Sequence, residues 1–277
     1  MGIWRWLFGS KDRKSSEPIK LPPPSCEQFD SLPAAIQPAA STSLPSEKQG
    51  NDTLRSGGYL QDVNRPLFID IETTGLHSSD QIVSLSMILV NRKNDHSNNL
   101  KILNLIFDPL KKSHKEAERI HGIDDWTLRH QEVFVQRLDE IRDFLSECDA
   151  IIAHNAAFDI PFVKRSFEMC RQEMPEKPVY CTMIEARAQG FYPASLKACA
   201  ERIGIHRKSD THDAFEDAFM CMAIWLYWVR GQRPRSDFEF PSWQNFIEPP
   251  CRPDILPRRN NVTKRTNFYQ KLPGEAS

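Results

Sequence analysis

Asp70 and Glu72 are two carboxylates separated by one apolar residue, in the run Pro66-Leu-Phe-Ile-Asp-Ile-Glu72 that leads into Thr73-Thr-Gly75. Along a strand, alternation sends both acids to one side and Ile71 to the other. Like charges about 4 Å apart repel by roughly 4 kcal/mol at an effective dielectric near 20, so such a pair favours a compensating cation or a proton. Oxygen-rich anionic sites of this kind suit magnesium or manganese. A polar strand end running into a turn would explain the same residues without any chemistry.

Two further stretches offer matching residue types. His154-Asn155-Ala-Ala-Phe158-Asp159 places a carboxylate just beyond an apolar run and at the start of a helical pattern. Asp159 could equally favour the positive end of its own helix. Thr211-His212-Asp213-Ala-Phe-Glu216-Asp217 supplies a histidine before a helix and an acid about one turn inside it. Asp213 and Glu216 have a structural role available as a capping box; His212 and Asp217 have none. A neutral histidine with a pKa near the working pH can take a proton from an attacking water.

The elements that must position these groups follow from periodicity. Pro66 to Glu72 reads as a buried strand, and Gln81–Asn91 and Lys101–Asp108 as two more, joined by the polar turn Arg92–Asn99. Short connections make this an antiparallel meander. Helical spacing of Val133, Phe134, Leu138, Ile141, Phe144 and Leu145 predicts a helix over Val133–Cys148, followed by a buried strand at Ala150–Ala153. Further helices are predicted at Ala157–Arg171, Leu196–Ile203 and Ala214–Val229. The alternation implies an α/β protein with a mixed sheet flanked by helices.

Taken in order, Asp70, Glu72, Asp159, His212 and Asp217 resemble the DEDDh exonucleases, the DnaQ-like family that includes polymerase proofreading subunits of the epsilon type, from about Pro66 to Val229. The motifs Asp-x-Glu-Thr-Thr-Gly, His-Asn-x-x-Phe-Asp and His-x-x-x-x-Asp occur in sequence, and Arg119-Ile-His121-Gly-Ile123 and Ser195–Gly204 are similar to secondary segments of the family. The resemblance implies a ribonuclease-H-like fold and 3′-5′ exonuclease activity. It implies that Asp70, Glu72, Asp159 and Asp217 hold two divalent cations, Mg2+ or Mn2+, while His212 activates the attacking water. Cations roughly 3.5–4 Å apart can activate water on one side of a phosphodiester and stabilise the leaving oxygen on the other. Thr73, Thr74, Leu76, His121 and Phe158 are then the substrate-contact candidates; Leu76 and Phe158 also suit a core, and His121 an ordinary loop. The implied substrate is a nucleic acid with a free 3′ end, DNA favoured over RNA, in repair or replication proofreading, with a DNA polymerase as a possible partner. An exoribonuclease or a noncatalytic nucleic-acid-binding accessory protein are the alternatives.

The whole chain fits this expectation. With 277 residues, 40% hydrophobic and 26% charged, it has material for one sizeable core, and it lacks the roughly 20-residue apolar run of a membrane span. Residues 1–64 are rich in Ser, Pro, Gln, Lys and Gly and read as a flexible leader; 65–230 form the exonuclease domain, and 231–277 a basic, extended tail. The net charge of −1 conceals an uneven distribution, since residues 252–271 carry Arg252, Arg258, Arg259, Lys264, Arg265 and Lys271 against Asp254 alone. Such cations suit phosphate contacts. Seven cysteines, an odd count without an export signal, indicate reduced thiols and a cytoplasmic location, and the lack of a Cys-x-x-Cys pair gives no support to a zinc site or redox motif.

Overall fold

The computed structural model describes residues 63–91, 100–207, 210–230 and 247–259. The leader up to residue 62, the turn Arg92–Asn99, Cys26 and most of the basic tail lie outside the described residues. Five strands form one sheet: β1 (Pro66–Thr73), β2 (Ile82–Val90), β3 (Leu100–Ile106), β4 (Ala150–Ala153) and β5 (Val179–Cys181), in the order β3-β2-β1-β4-β5. β1 pairs antiparallel with β2 and β2 with β3, whereas β4 runs parallel to both β1 and β5. The sheet is therefore mixed, with β1 at its centre.

The described helices are α1 (Lys115–His121), α2 (Asp125–Leu128), α3 (Leu138–Glu147), α4 (Ala156–Met169), α5 (Thr182–Ala188), α6 (Leu196–Arg202) and α7 (Ala214–Arg230). The segment predicted as one helix from Val133 begins instead as a 3-10 turn over Phe134–Arg137 before α3. Its apolar positions still pack, because Phe134, Leu138, Ile141 and Leu145 share one core with β1.

Strand parity divides the core in two. Leu67, Ile69 and Ile71 of β1 join the cluster containing α3 and α4, while Phe68 joins the one built around α7. Asp70 and Glu72 have the parity of Phe68, so they point to the α7 side at the carboxyl end of the strand. Beyond its acidic first turn α7 is apolar on every face up to Val229, and it is buried from Ala214 to Tyr227, as expected of a helix in a core rather than on a surface. Trp225 is fully buried and meets Phe68 edge-on with ring centroids 5.4 Å apart. At roughly 25 cal/mol per Å2 of apolar area, each such buried side chain contributes about 2–3 kcal/mol, which anchors α7 against the central strand.

Residues 247–259 return to the body, in an irregular conformation, across α2 and the end of β3. The Gln131 amide bonds both the N–H and the C=O of Ile247, Trp126 Nε1 donates to the Pro250 carbonyl, and Arg129 donates to the Pro257 carbonyl. Arg252 pairs with Asp124, and Arg259 reaches both Asp108 and Asp125. These two arginines of the basic segment are thus neutralised by acids of the body.

Candidate active site

The turn out of β1 is fixed from within. The register of β1 against β2 shifts between Glu72 and Thr73, which breaks the alternation at the end of the strand. Beyond this bulge, Thr73 lines the cleft and its hydroxyl donates to the Gly75 carbonyl, whereas the Thr74 side chain is fully buried and donates to Asp80. Asp80 is itself fully buried and also accepts from the His77 backbone N–H and from Lys111. Burial alone would raise its pKa, but these donors hold it down at about 2. A side chain at Gly75 would overlap His114 and Asp80, so only glycine fits between them.

Asp159 reaches the same place from the other neighbour of β1. β4 ends at Ala153, and Asn155 turns the chain into α4 with φ of 72°, a left-handed conformation that asparagine tolerates. Asp159 then falls in the first turn of α4, buried against the backbone of Ile71. His154 spans the gap to the next wall, with Nδ1 2.9 Å from the Thr182 hydroxyl and Nε2 2.9 Å from the Ala194 carbonyl. Since the carbonyl can only accept, Nε2 carries the proton and Nδ1 accepts from Thr182.

The third contribution comes from α7. Asp213 caps its first turn, accepting from the backbone N–H groups of Phe215 and Glu216, and this places Asp217 one turn inside, beneath β1. His212 is held at the rim by its backbone N–H, which donates to the Ile120 carbonyl at the end of α1. Its side chain is 48% exposed, with Nδ1 3.5 Å from Asp217 Oδ2. One ligand atom from each of Glu72, His212 and Asp217 falls within 4.8 Å of the others.

Asp70, Glu72, Asp159 and Asp217 thus converge on the floor of a cleft of about 1100 Å3, with His212 on its wall. Burial is the main cause that drives the carboxyls up, and their mutual repulsion adds to it: Asp70 rises well above the carboxylate range, Glu72 and Asp159 to about 8, and Asp217 to about 7. A floor of this kind takes up either protons or cations. Hard oxygen donors in a buried carboxyl cluster fit divalent cations, and these four side chains are the ones that would hold them. His212 is shifted the opposite way, downward, by burial and by the Arg207 guanidinium. It is therefore neutral at neutral pH and free to accept a proton.

The substrate-contact candidates separate into two groups. Thr73, Leu76 and Phe158 line the cleft; Leu76 is 81% exposed, unusual for a large apolar side chain, and Phe158 is tilted against Phe162 with centroids 5.1 Å apart. Thr74 and His121 do not reach it. His121 is buried, with Nδ1 accepting from the Ile123 backbone N–H, and burial lowers its pKa to about 4. The segment around it serves the site through the Ile120 carbonyl that holds His212. Sequence motifs missed Arg207, whose guanidinium donates to Asp217 at 2.6 Å, because it lies between elements and at no motif position. The nearest sequence signal was a basic residue five places before His212.

Carboxylates from the central strand of a mixed sheet and from two helices packed beside it, converging next to a neutral histidine, define a phosphodiester-cleaving nuclease of the ribonuclease-H-like type. The Exonuclease (RNase T) family matches residues 67–225, and the chain belongs to this DEDDh 3′-5′ exonuclease family. DNA polymerase III subunit epsilon of Escherichia coli is 28% identical over 185 residues, covering 61% of this chain and 73% of that one. The corresponding subunit of Haemophilus influenzae is 25% identical over 189 residues, covering 64% and 72%. Among solved structures, exonuclease I of E. coli in complex with a dT13 oligonucleotide superposes with a TM-score of 0.51 at 16% identity, over 61% of this chain and 42% of that chain. That likeness concerns the fold, and this chain spans less than half of exonuclease I.

Proposed function

We propose that the protein removes nucleotides one at a time from the 3′ end of a DNA strand, in repair or replication proofreading, using two divalent cations, Mg2+ or Mn2+. The observation that carries this reading is the convergence of Asp70, Glu72, Asp159 and Asp217 under a half-exposed, neutral His212 at one end of an open cleft. Bound cations supply charge neutralisation at the scissile phosphate and activation of water. The chain's own groups do the rest. Asp70, Glu72, Asp159 and Asp217 present oxygen ligands, His212 accepts the proton of the attacking water, and Leu76 and Phe158 offer apolar surfaces for the terminal base.

DNA is favoured by the epsilon subunits among the relatives and by the oligonucleotide carried by exonuclease I. A polymerase partner is proposed on the same likeness. A cytoplasmic location is supported by the seven cysteines, six of which lie among the described residues as free thiols; no described helix is long and apolar enough to cross a membrane.

The test is directional. Single-stranded DNA labelled at its 5′ end is expected to give a descending ladder, and a blocked 3′ terminus to suppress it. Cleavage of circular single strands at a comparable rate would sink the exonuclease reading, and faster cleavage of a matched RNA would move the substrate assignment to RNA.

A further inference from the structure

The carboxylate floor already contains a cation of the chain's own. Arg207 follows α6 and turns back into the cleft, where its side chain is only 8% exposed and Nη2 donates to Asp217 Oδ1 at 2.6 Å. Asp217 is 5% exposed, so this is a buried ion pair and not a rim contact. Arg207 Nε and Nη1 are buried with no hydrogen-bond partner among the described residues. A guanidinium has five donors in a rigid fork, and leaving two of its nitrogens without acceptors in a buried site is costly. The site therefore holds Arg207 through one charged hydrogen bond while leaving two of its three nitrogens unmet, which is the profile of a group that has a second position to occupy.

We propose that Arg207 is a resident competitor for the catalytic cation: it neutralises Asp217 in the metal-free protein and must leave Oδ1 before a divalent cation can use that oxygen. The inference rests on the metal-dependent reading above. A cation arriving beside Glu72 and Asp217 and a guanidinium already on Asp217 repel each other, so the two occupancies exclude one another and the apparent affinity for metal is lowered by the strength of the ion pair. Arg207 would thus act as a positioning residue that sets the metal concentration at which the enzyme switches on. It also keeps the acidic floor compensated until then.

The test uses the full chain and Mn2+ as the probe, with bound metal counted by electron paramagnetic resonance and no substrate present. R207Q is expected to bind Mn2+ roughly tenfold more tightly than the wild type, because a unit positive charge in contact with a ligand atom has been removed. R207K, which keeps the charge, should stay near the wild-type value, as should R142Q, which removes a cation from the exposed face of α3. In the wild type, the Arg207 Nε–H resonance should shift during titration with Mg2+ with the midpoint of metal binding; this readout needs no substitution and survives if R207Q fails to fold. Unchanged or weaker Mn2+ binding by folded R207Q, or an Nε–H resonance that ignores Mg2+, overturns the competitor role while leaving the metal site standing. Absence of any Mn2+ binding by the wild type that D70N abolishes overturns the metal reading itself, and this inference with it.

Discussion

Replacing Asp159 by asparagine should stabilise the metal-free protein, and increasingly so as the pH rises. The Asp159 carboxyl is buried and pushed up to about 8 from an ordinary value of 3.8, chiefly by burial, with the Asp217 carboxylate adding to it and backbone N–H bonds opposing it. Between those two values the native site keeps a proton that the unfolded chain has lost. The native state then binds more protons than the unfolded state, so the stability contributed by this group is intact below pH 4 and is lost as the pH climbs towards 8. One proton corresponds to about 1.4 kcal/mol per pH unit, so from pH 5 to pH 7 D159N should gain about 3 kcal/mol on the wild type. Reading the difference matters, because buried His121 and His154, both lowered to about 4, make the stability of each protein rise over part of the same range. Those terms cancel between the two proteins, and any pH-independent packing offset of the amide drops out of the slope. Urea denaturation in chelator at pH 5, 6 and 7 measures it. With saturating Mg2+ the order should reverse, since ligation stabilises the wild type and D159N has lost a ligand. A stability difference that does not change between pH 5 and pH 7 would refute the claim that Asp159 is protonated in the folded, metal-free site.

Other expectations follow from named contacts. D70A should lower 3′-end cleavage by more than about a thousandfold with an unchanged circular dichroism spectrum, and chelation should do the same to the wild type; full activity of a metal-clean mutant would show the site to be elsewhere. D80N should raise KM for short oligonucleotides roughly fivefold with a smaller effect on kcat, because Asp80 holds Thr74 and the loop under Gly75 without touching the reacting atoms; an equal loss in both constants would place it in the chemistry. R259A should cost about 2 kcal/mol in urea denaturation by leaving Asp108 and Asp125 short of a buried partner, whereas R252A, an exposed pair, should cost less than about 1 kcal/mol. Equal effects would mean that the contacts of Arg259 are no more than surface pairs.

What the sequence disclosed depended on periodicity. Alternation along β1 put Asp70 and Glu72 on one side correctly, because both lie before the register shift; Thr73 and Thr74 lie at or beyond it, where parity no longer tells which side chain faces the cleft. The long apolar helices α4 and α7 and the strand β4 were legible because their buried faces repeat over several turns or fill the run completely. α1, α2, β5 and α5 were not: each is short, and in α1 only His121 is buried, so that helix has no apolar face to read, whereas α6, equally short, was legible from Leu196, Cys199 and Ala200 on one face. His121 carried a motif but turned inward, since a motif fixes residue order and not side-chain direction. Arg207 had no signal beyond its charge, and its role depends on a loop that brings it back onto Asp217. The return of residues 247–259 was hidden for a related reason, because composition marks Pro- and Arg-rich stretches as solvated and is blind to acids waiting 120 or more positions earlier.

The pairing of Arg259 with Asp108 and Asp125 has a consequence for the time at which this fold is completed. The meander β1 to β3 needs only neighbouring chain and can form while synthesis is under way, but the strip beside α2 closes across separations of 151 and 134 residues. On a ribosome, the acids Asp108, Asp124 and Asp125 must wait for Arg252 and Arg259, about 6 to 30 seconds of elongation at roughly 5–20 residues per second. During that interval α2 and the end of β3 lack their outer brace. Among the described residues, the order of synthesis is thus sheet, catalytic floor, brace, so that the contacts supplied last lie beside the machinery and not within it.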